Sequence, residues 1–343
     1  MNSFKTALSF DDVLLVPKFS SVKSRKDISL DSKLGALDFL LPIISSPMDT
    51  VTEEKMVYSM SSAGGLGIIH RYNTIDEQVN IVNRSINLGS TMIGAAVGVS
   101  EDFEERAYAL CDAGVKVICI DIAHGHHQMM KSALSNLKET FGKDICIIAG
   151  NVATRQAFED LSDWGADAVR VGVGGGSICS TRIQTGHGVP TLQSILDCSH
   201  SDRNAAIIAD GGIKNSGDAA KALAAGADFV MLGSVLAGTD ETPGDLIRHA
   251  GTGITTQDRK VYRGMASREA QQSWRNRVSS VEGISTTVPA KGPVSNILKD
   301  LEWGVRSALS YSGAKNLKEF HHKSEFIRQT PAGFKESSTH IIS

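Results

Sequence analysis

Residues 145–173 read ICIIAGNVATRQAFEDLSDWGADAVRVGV, and this stretch decides the fold. Two apolar runs, Ile145–Ala149 and Ala168–Val173, flank an amphipathic segment, Arg155–Trp164. Because the runs are continuously apolar rather than alternating, they are typical of parallel strands that are buried on both faces. The pair Gly165-Ala166 follows the amphipathic segment and is a common signal for the end of a helix. The stretch therefore predicts one β-α-β unit.

The same pattern recurs along the 343-residue chain. The apolar runs are Leu41–Ser45, Leu66–His70, Met92–Val97, Val117–Asp121, Ile145–Ala149, Ala168–Val173, Ala206–Ala209 and Phe229–Leu232. Most successive runs start 23 to 28 residues apart, which suits one strand and one helix. Further amphipathic segments are Glu101–Asp112, Met129–Phe141 and Gly217–Ala225. Consecutive β-α units of this number predict an α/β protein with a (β/α)8 TIM barrel, and an open doubly wound sheet is the alternative.

The chain contains no stretch that resembles an inserted second domain, so residues 1–343 are predicted to form a single barrel domain. The segment Gly251–Lys291 is polar and is predicted to be a short mobile flap or hairpin after the eighth strand. The tail Arg328–Ser343 is expected to be extended and to pack on a neighbouring subunit.

The bulk composition argues against several partners. A net charge of -3 leaves no basic surface for nucleic acid. Apolar stretches fall short of the roughly eighteen residues that a membrane helix needs, and the N-terminus has no apolar segment, so no membrane contact is expected. The five cysteines are odd in number, and two of them lie in the apolar runs, which indicates a reducing compartment and a cytoplasmic protein.

The loop after the sixth run carries the strongest chemical signal, GVGGGSICSTR at residues 172–182. The carboxyl ends of the strands carry the active site in a TIM barrel. Four glycines allow backbone amides to approach a ligand closely, and Ser177 adds a hydroxyl group. Cys179 lies where a thiol can be exposed and reactive, so we predict a covalent nucleophile. The competing interpretation is a glycine-rich turn with an incidental cysteine.

Paired glycines after the seventh and eighth runs predict a phosphate site. Asp210-Gly211-Gly212 and Gly233-Ser234 stand where barrel enzymes commonly hold a phosphate on backbone amides. Asp210 is placed to accept hydrogen bonds from ribose hydroxyls. Together with Cys179, these residues predict a mononucleotide whose base reaches the thiol. The competing interpretation is tight packing at the barrel rim.

Two weaker signals remain. His124, His126 and His127 cluster after the fourth run, but no carboxylate lies in fixed register with them, so we do not predict a metal site there. Glu282 ends the polar flap, where a glutamate can carry a proton once the flap closes. A solvated surface charge is the competing interpretation of Glu282.

Several motifs in this order resemble the inosine monophosphate dehydrogenase / GMP reductase family over nearly the whole chain. The matching motifs are Phe10–Pro17, Ser46–Glu53, Gly64–His70, Ala149–Val152, the Cys179 loop, Asp210–Gly212 and Tyr262–Met265. The resemblance implies that Cys179 attacks C2 of the purine and that a hydride passes between C2 and a nicotinamide through a thioimidate. Thr181 and Glu282 would shuttle protons, and a homotetramer is usual in the family.

The resemblance also implies the binding residues. The nucleotide would be held by Ser46, Met48, Asn151, Ser177, Asp210, Gly211, Gly212, Gly233, Ser234, Tyr262, Gly264 and Met265. The nicotinamide would lie near Asp121, Ala123 and Gly172. A potassium ion would be held by Gly174, Gly176, Cys179 and the tail residue Glu336 of a neighbouring subunit.

Four features favour an NADPH-dependent GMP reductase, which forms IMP and ammonia. The loop Arg182–Gly186 after Cys179 contains a threonine-glycine pair that reductases share. Only Arg71–Thr91 separates the second and third runs, which leaves no room for the CBS motifs that dehydrogenases usually carry. Asp121–Gly125 lacks the serines that usually follow the aspartate in dehydrogenases. The flap has Trp274–Arg277 in place of the arginine-tyrosine pair with which dehydrogenases activate water.

Other features favour an IMP dehydrogenase without CBS motifs, which would reduce NAD and form XMP. Ser46-Pro47 and the tail segment Ala332–Ser337 are dehydrogenase-like. Gly175 replaces a proline that most family members have, which leaves ion binding open. An inactive nucleotide-binding barrel is the alternative from outside the enzyme class.

Overall fold

The computed structural model describes residues 4–100, 102–248, 257–275, 278–337 and 339. Its strands are β1 (Val13–Leu15), β2 (Ser32–Leu34), β3 (Leu37–Phe39), β4 (Ile43–Ser45), β5 (Leu66–Ile69), β6 (Gly94–Val97), β7 (Val117–Asp121), β8 (Cys146–Val152), β9 (Ala168–Val171), β10 (Ala206–Asp210), β11 (Phe229–Leu232), β12 (Arg259–Arg263), β13 (Ser285–Pro289) and β14 (Phe326–Arg328). Its helices are α1 (Glu54–Ser62), α2 (Ile75–Asn87), α3 (Phe103–Asp112), α4 (Gln128–Phe141), α5 (Arg155–Asp163), α6 (Thr181–Thr185), α7 (Thr191–Ser199), α8 (Ser216–Ala224), α9 (Arg268–Arg275), α10 (Val294–Tyr311), α11 (Leu317–Lys323) and α12 (Pro331–Glu336).

Strands β4 to β11 form a closed parallel barrel. Each pairs with the next along the chain, and β11 returns to β4 through the register Val230↔Ile43 to Leu232↔Ser45. The predicted TIM barrel is therefore confirmed, and the open doubly wound sheet is excluded. All eight predicted strands are present, with ends that differ by three residues at most.

The β8-α5-β9 unit illustrates why the sequence folds this way. The Thr154 side chain accepts a hydrogen bond from the backbone N–H of Ala157 and so caps the start of α5. Gly165 follows the helix with φ 110°, a conformation that favours glycine. Phe158 and Leu161 are buried against the sheet. Burying each of these side chains contributes roughly 1.5–3 kcal/mol.

The barrel has an apolar interior that is separate from the core between strands and helices. A hairpin formed by β2 and β3, which the sequence analysis did not predict, closes its amino-terminal mouth. Leu34 and Phe39 of this hairpin pack among the interior side chains, and the Phe39 ring meets that of Phe229 edge-on at 5.5 Å. With that end filled, the opposite mouth is the place for a ligand site.

The C-terminal tail differs from the expected extended segment. Residues Pro331–Glu336 form α12, because the Thr330 side chain accepts from the Gly333 N–H and Pro331 occupies the first turn. The preceding strand, β14, pairs antiparallel with β1 of the same chain. The expectation of an extended tail is therefore wrong for these residues. Residues 338 and 340–343 lie outside the described part of the chain.

The predicted flap contains a hairpin with a helix between its strands. β12 pairs antiparallel with β13, and α9 lies in the connection. Residues 251–256 and 276–277 of the predicted segment lie outside the described residues. The mobility of the flap stays a prediction. Among the helices that the structure describes, none has the length and apolar character needed to cross a membrane.

Candidate active site

The carboxyl ends of the barrel strands and the flap enclose a cavity of about 270 Å³. The predicted catalytic residues Cys179, Thr181 and Glu282 line it. The predicted nucleotide-binding residues also line it: Ser46, Met48, Asn151, Ser177, Asp210, Gly211, Gly212, Gly233, Ser234, Tyr262, Gly264 and Met265. So do Asp121, Ala123 and Gly172 from the predicted nicotinamide side. The fold thus brings together residues that are up to 237 positions apart in the chain, from Ser46 to Gly283.

A hydrogen-bonded chain joins the three predicted catalytic side chains. The Cys179 thiol donates to the Thr181 hydroxyl over 3.2 Å, and this hydroxyl donates to Glu282 Oε2 over 2.8 Å. The second carboxylate oxygen, Oε1, accepts from the Ser280 hydroxyl at 3.2 Å. This connected path can move a proton between the thiol and the carboxylate.

Backbone pairing between the Cys179 loop and the flap sets this geometry. The Ser180 N–H donates to the Glu282 carbonyl at 2.9 Å, and the Ile284 N–H donates to the Ile178 carbonyl at 3.0 Å. The two segments therefore lie side by side like strands around the bridge between Cys179 and Gly283. The Glu282 side chain is held beside Thr181 by the same backbone contacts that pair the flap with the Cys179 loop.

The other four cysteines differ from Cys179 in their surroundings. Burial raises the pKa of Cys111, Cys119 and Cys198 to about 12, and it raises the pKa of Cys146 further still. Because the thiolate is the reactive form, these cysteines stay protonated and inert near neutral pH. Cys179 is half-buried and is the cysteine that lines the cavity.

The predicted phosphate residues gather around the Tyr262 hydroxyl. Burial raises the pKa of Tyr262, and hydrogen bonds with Ser177 and Ser234 oppose that rise. A Cβ atom at Gly233 would lie 3.1 Å from the Tyr262 hydroxyl, so a larger residue there would crowd the site. Gly212 has φ 81°, which turns the backbone after β10 in a way that favours glycine. This ring of hydroxyls and open backbone suits a phosphate.

Asp210 is the predicted ribose partner, and it also makes structural hydrogen bonds within the chain. Its Oδ2 atom accepts from Asn151 Nδ2 at 2.8 Å and from Arg170 Nη2 at 2.9 Å. The Asp210 carbonyl oxygen would lie only 1.9 Å from a Cβ atom at Gly172, so these two strand ends can meet only at a glycine. The predicted hydrogen bond from a ribose hydroxyl would use the other carboxylate oxygen, Oδ1.

Arg170 is a site residue that the sequence analysis missed. It is 6% exposed, and its Nη1 atom also donates to Asp121 Oδ1 at 2.6 Å. Burial opposes its charge, but the carboxylates of Asp210 and Asp121 outweigh burial and raise the pKa of the guanidinium. Arg170 thus joins the predicted ribose partner to a predicted nicotinamide partner. The signal in the sequence was one arginine within the apolar run Ala168–Val173.

The sequence analysis also missed residues on the side of the cavity that is predicted to bind the nicotinamide. Arg71 and Tyr72 line the cavity, and the Arg71 guanidinium lies 5.0 Å from the centre of the Tyr72 ring. Trp274 of α9 meets the same ring at 6.4 Å between centroids. Arg71 Nε also donates to the backbone carbonyl of Asp121 at 3.2 Å. An aromatic and cationic surface therefore borders Asp121.

The predicted potassium residues are only partly brought together. Gly174, Gly176 and Cys179 share the loop, but the Gly176 carbonyl already accepts from the Cys179 N–H at 3.1 Å. Glu336 lies in α12, and within the described residues no hydrogen bond or ion pair links it to the loop. These observations do not assemble an ion site within one chain, and potassium binding stays a prediction.

The clustered histidines have structural partners. His126 Nε2 lies 2.7 Å from Asp160 Oδ2, so a carboxylate from α5 faces this ring although the sequence analysis found none in register. The His127 ring accepts from the Met129 N–H and caps α4. In the part of the chain that the structure describes, no group of three or more histidine, cysteine, aspartate or glutamate side chains could hold a metal ion.

Comparison with known proteins places this cavity in a family. A family model described as IMP dehydrogenase / GMP reductase domain matches residues 7–340. The chain belongs to this family. It is therefore a purine-nucleotide oxidoreductase, and the predicted resemblance is confirmed.

Relatives from both branches of the family are similar to this chain. The inosine-5'-monophosphate dehydrogenase of Nitrosopumilus maritimus is 36% identical, with 99% of each chain covered. The GMP reductase of Leishmania major is 32% identical, with 98% of this chain and 97% of the relative covered. The crystal structure of a cysteine-to-alanine variant of GMP reductase from Trypanosoma brucei, in complex with guanosine 5'-monophosphate, has a TM-score of 0.94 at 31% identity, with 99% of each chain covered.

Proposed function

We propose that this family member is an NADPH-dependent GMP reductase that converts GMP to IMP and ammonia. The hydrogen-bonded chain from Cys179 through Thr181 to Glu282 carries the covalent chemistry, and the lack of an Arg-Tyr sequence in residues 251–291 favours the reductase. The hydrogen-bonded chain supplies a nucleophile and a proton carrier for a leaving amine at one point of the cavity.

The nucleotide is oriented by the two ends of the cavity. Ser177, Ser234 and Tyr262 hold the phosphate together with the open backbone at Gly212 and Gly233. Asp210 accepts from the ribose, and the base lies between Cys179 and the turn formed by Gly264 and Met265. The bound GMP of the T. brucei reductase structure supports this class of ligand.

In the first step the Cys179 sulfur attacks C2 of GMP. The Sγ–C2 bond forms and the bond from C2 to the exocyclic nitrogen breaks. The thiol proton passes through Thr181 to Glu282 and returns to the departing amine, which leaves as ammonia. Proton transfer by a positioned side chain is worth about 10²–10⁴-fold in rate.

The dinucleotide would bind on the predicted nicotinamide side of the cavity. Asp121, Tyr72 and Gly172 line this side. The Asp121 carboxylate would accept from a ribose hydroxyl, and the Tyr72 ring would border the planar nicotinamide. A dihydronicotinamide bound there would supply the hydride that reduces C2. The Sγ–C2 bond then breaks, IMP leaves, and the Cys179 thiolate regains a proton from solvent.

The flap supports a reductase over a dehydrogenase. A dehydrogenase must activate water to release its product, whereas a reductase transfers a hydride to the same intermediate. The segment 251–291 contains no Arg-Tyr sequence, and its one tyrosine, Tyr262, lies at the phosphate end. Trp274 packs against Tyr72 beside the nicotinamide side.

An IMP dehydrogenase that reduces NAD and forms XMP is the second candidate. Ser46-Pro47 is the feature of the sequence that favours it, together with the 36% identity to a dehydrogenase. The two reactions share the nucleophile and the binding residues, so they differ in which substrate is turned over.

A pair of turnover assays separates these candidates. With GMP and NADPH we expect the nicotinamide absorbance to fall, with one ammonia released per NADPH consumed. With IMP and NAD we expect no gain of NADH absorbance. A gain with IMP would contradict the reductase proposal and favour the dehydrogenase. Nucleotide binding without turnover in either assay would instead favour an inactive barrel.

A further inference from the structure

Gln271 of α9 is a buried amide whose hydrogen-bonding capacity is fully used. Its side chain is 6% exposed within a flap helix that is otherwise rich in polar, exposed residues. Nε2 donates to the Ala266 carbonyl at 3.1 Å and to the Ser280 carbonyl at 2.7 Å. Oε1 accepts from the Ser279 N–H at 2.8 Å and from the Ser279 hydroxyl at 3.1 Å. An amide has two donors and room for two acceptor contacts, so every capacity is filled.

These contacts hold the chain that leads into Glu282 and the carbonyl group that binds the Glu282 backbone. Ser279 and Ser280 precede Glu282 by three and two residues, and the Gln271 amide ties both of them to α9. The Ala266 carbonyl that accepts from Gln271 also accepts from the Glu282 N–H at 3.1 Å. Gln271 and the Glu282 backbone are therefore anchored on one shared oxygen atom.

The Gln271 contacts also restrict the position of the Glu282 carboxylate. Its Oε1 atom accepts from the Ser280 hydroxyl, and Ser280 is held through its carbonyl by Gln271. Its Oε2 atom accepts from Thr181. If Ser280 shifts, one of the two hydrogen bonds that orient the carboxylate must lengthen.

We infer that Gln271 is a positioning residue for the proton relay, which holds Glu282 at hydrogen-bonding distance from Thr181 without touching substrate. This inference rests on the role proposed above for Glu282. A misplacement of about 1 Å in a reacting group can cost about 10²-fold in rate, so the amide has a large possible effect on turnover.

The test compares Gln271→Met with Gln272→Met, its matched control. Methionine is close to glutamine in length and can fill the same space, but it makes none of the four hydrogen bonds. Gln272 is exposed on the same helix, so the same change there removes an amide that faces solvent. We expect Gln271→Met to lower kcat by roughly 10–100-fold, with KM for GMP within about threefold of the wild-type value. Gln272→Met is expected to match the wild type.

A double variant with Glu282→Gln tests whether Gln271 acts through Glu282. We expect Glu282→Gln alone to lower kcat by about 10²–10⁴-fold. Adding Gln271→Met should then lower kcat by less than about twofold, because the carboxylate that it positions is gone. Gln271→Glu provides a second variant, since it keeps an acceptor for Ser279 and loses both donors. It should also lower kcat, and equilibrium binding of GMP reports whether each variant is folded.

Three results would overturn the inference. The kcat of Gln271→Met and of Gln271→Glu could equal that of Gln272→Met. The fold-losses in kcat of Gln271→Met and Glu282→Gln could also multiply in the double variant. Alternatively, KM could rise with kcat unchanged, which would mean that the amide only holds the flap over the base. Wild-type turnover in Glu282→Gln is a separate result, because it would refute the proposed role of Glu282 itself.

Discussion

Replacing Cys179 with alanine is expected to abolish turnover and to leave GMP affinity within about tenfold of the wild-type value, roughly 1.4 kcal/mol. The phosphate and ribose contacts are made by other residues, so binding survives. Without the sulfur no bond to C2 can form, and water cannot take its place in hydride transfer. Steady-state assays and equilibrium titration with GMP measure the two effects separately.

Cys111→Ala is the control for this experiment. Cys111 is half-buried like Cys179, but it lies in α3, away from the cavity. Its pKa is raised to about 12 by burial, so it has no thiolate to lose near neutral pH. We expect its turnover to match that of the wild type. Substantial residual turnover in Cys179→Ala would show that the thiol is not the nucleophile.

Replacing Arg170 with methionine is expected to lower the free energy of unfolding by about 3–5 kcal/mol. The arginine donates to both Asp121 and Asp210, and its loss leaves two carboxylates together in a largely buried site. Because these carboxylates face the ribose and nicotinamide sides, KM for both substrates should rise as well. Urea denaturation and steady-state kinetics measure these two consequences.

Arg84→Met is the control for Arg170. The Arg84 side chain is 51% exposed and pairs with Glu54 on the surface. Exposed ion pairs contribute about 0–1 kcal/mol, so this variant should stay close to the wild type. Equal losses for the two variants would mean that the bridge between the carboxylates contributes little.

The barrel was predictable because each of its strands has a local sequence pattern. Each is a continuous apolar run followed by an amphipathic segment, and the spacing of the runs repeats. The site residues were predictable for a related reason. In a parallel barrel every strand ends at the same mouth, so Cys179, Asp210 and Gly233 had to converge once the barrel was correct.

The contacts that were missed depend on long-range pairing. In the sequence, Arg170 is a single charged residue within an apolar strand. Its partner Asp121 lies 49 residues away and its partner Asp210 lies 40 residues away. In the sequence, Gln271 is one polar residue in a polar flap. It is buried because Ser279 and Ser280 pack against it in the folded chain. The hairpin of β2 and β3 has three-residue strands, too short for a periodic signal.

The tail was predicted wrongly for a local reason that the sequence did contain. Thr330-Pro331 is a helix start, with a capping hydroxyl before a proline in the first turn.

The central claim is that the Cys179 sulfur bonds to C2 of the purine, and mass spectrometry of acid-quenched enzyme tests it most directly. Enzyme mixed with GMP and NADPH and quenched during turnover should yield a peptide on which Cys179 carries GMP less ammonia. The same adduct arises from IMP by loss of a hydride and a proton, so the test holds for either branch of the family. Turnover that proceeds with Cys179 unmodified, or with the nucleotide on another residue, would contradict the account.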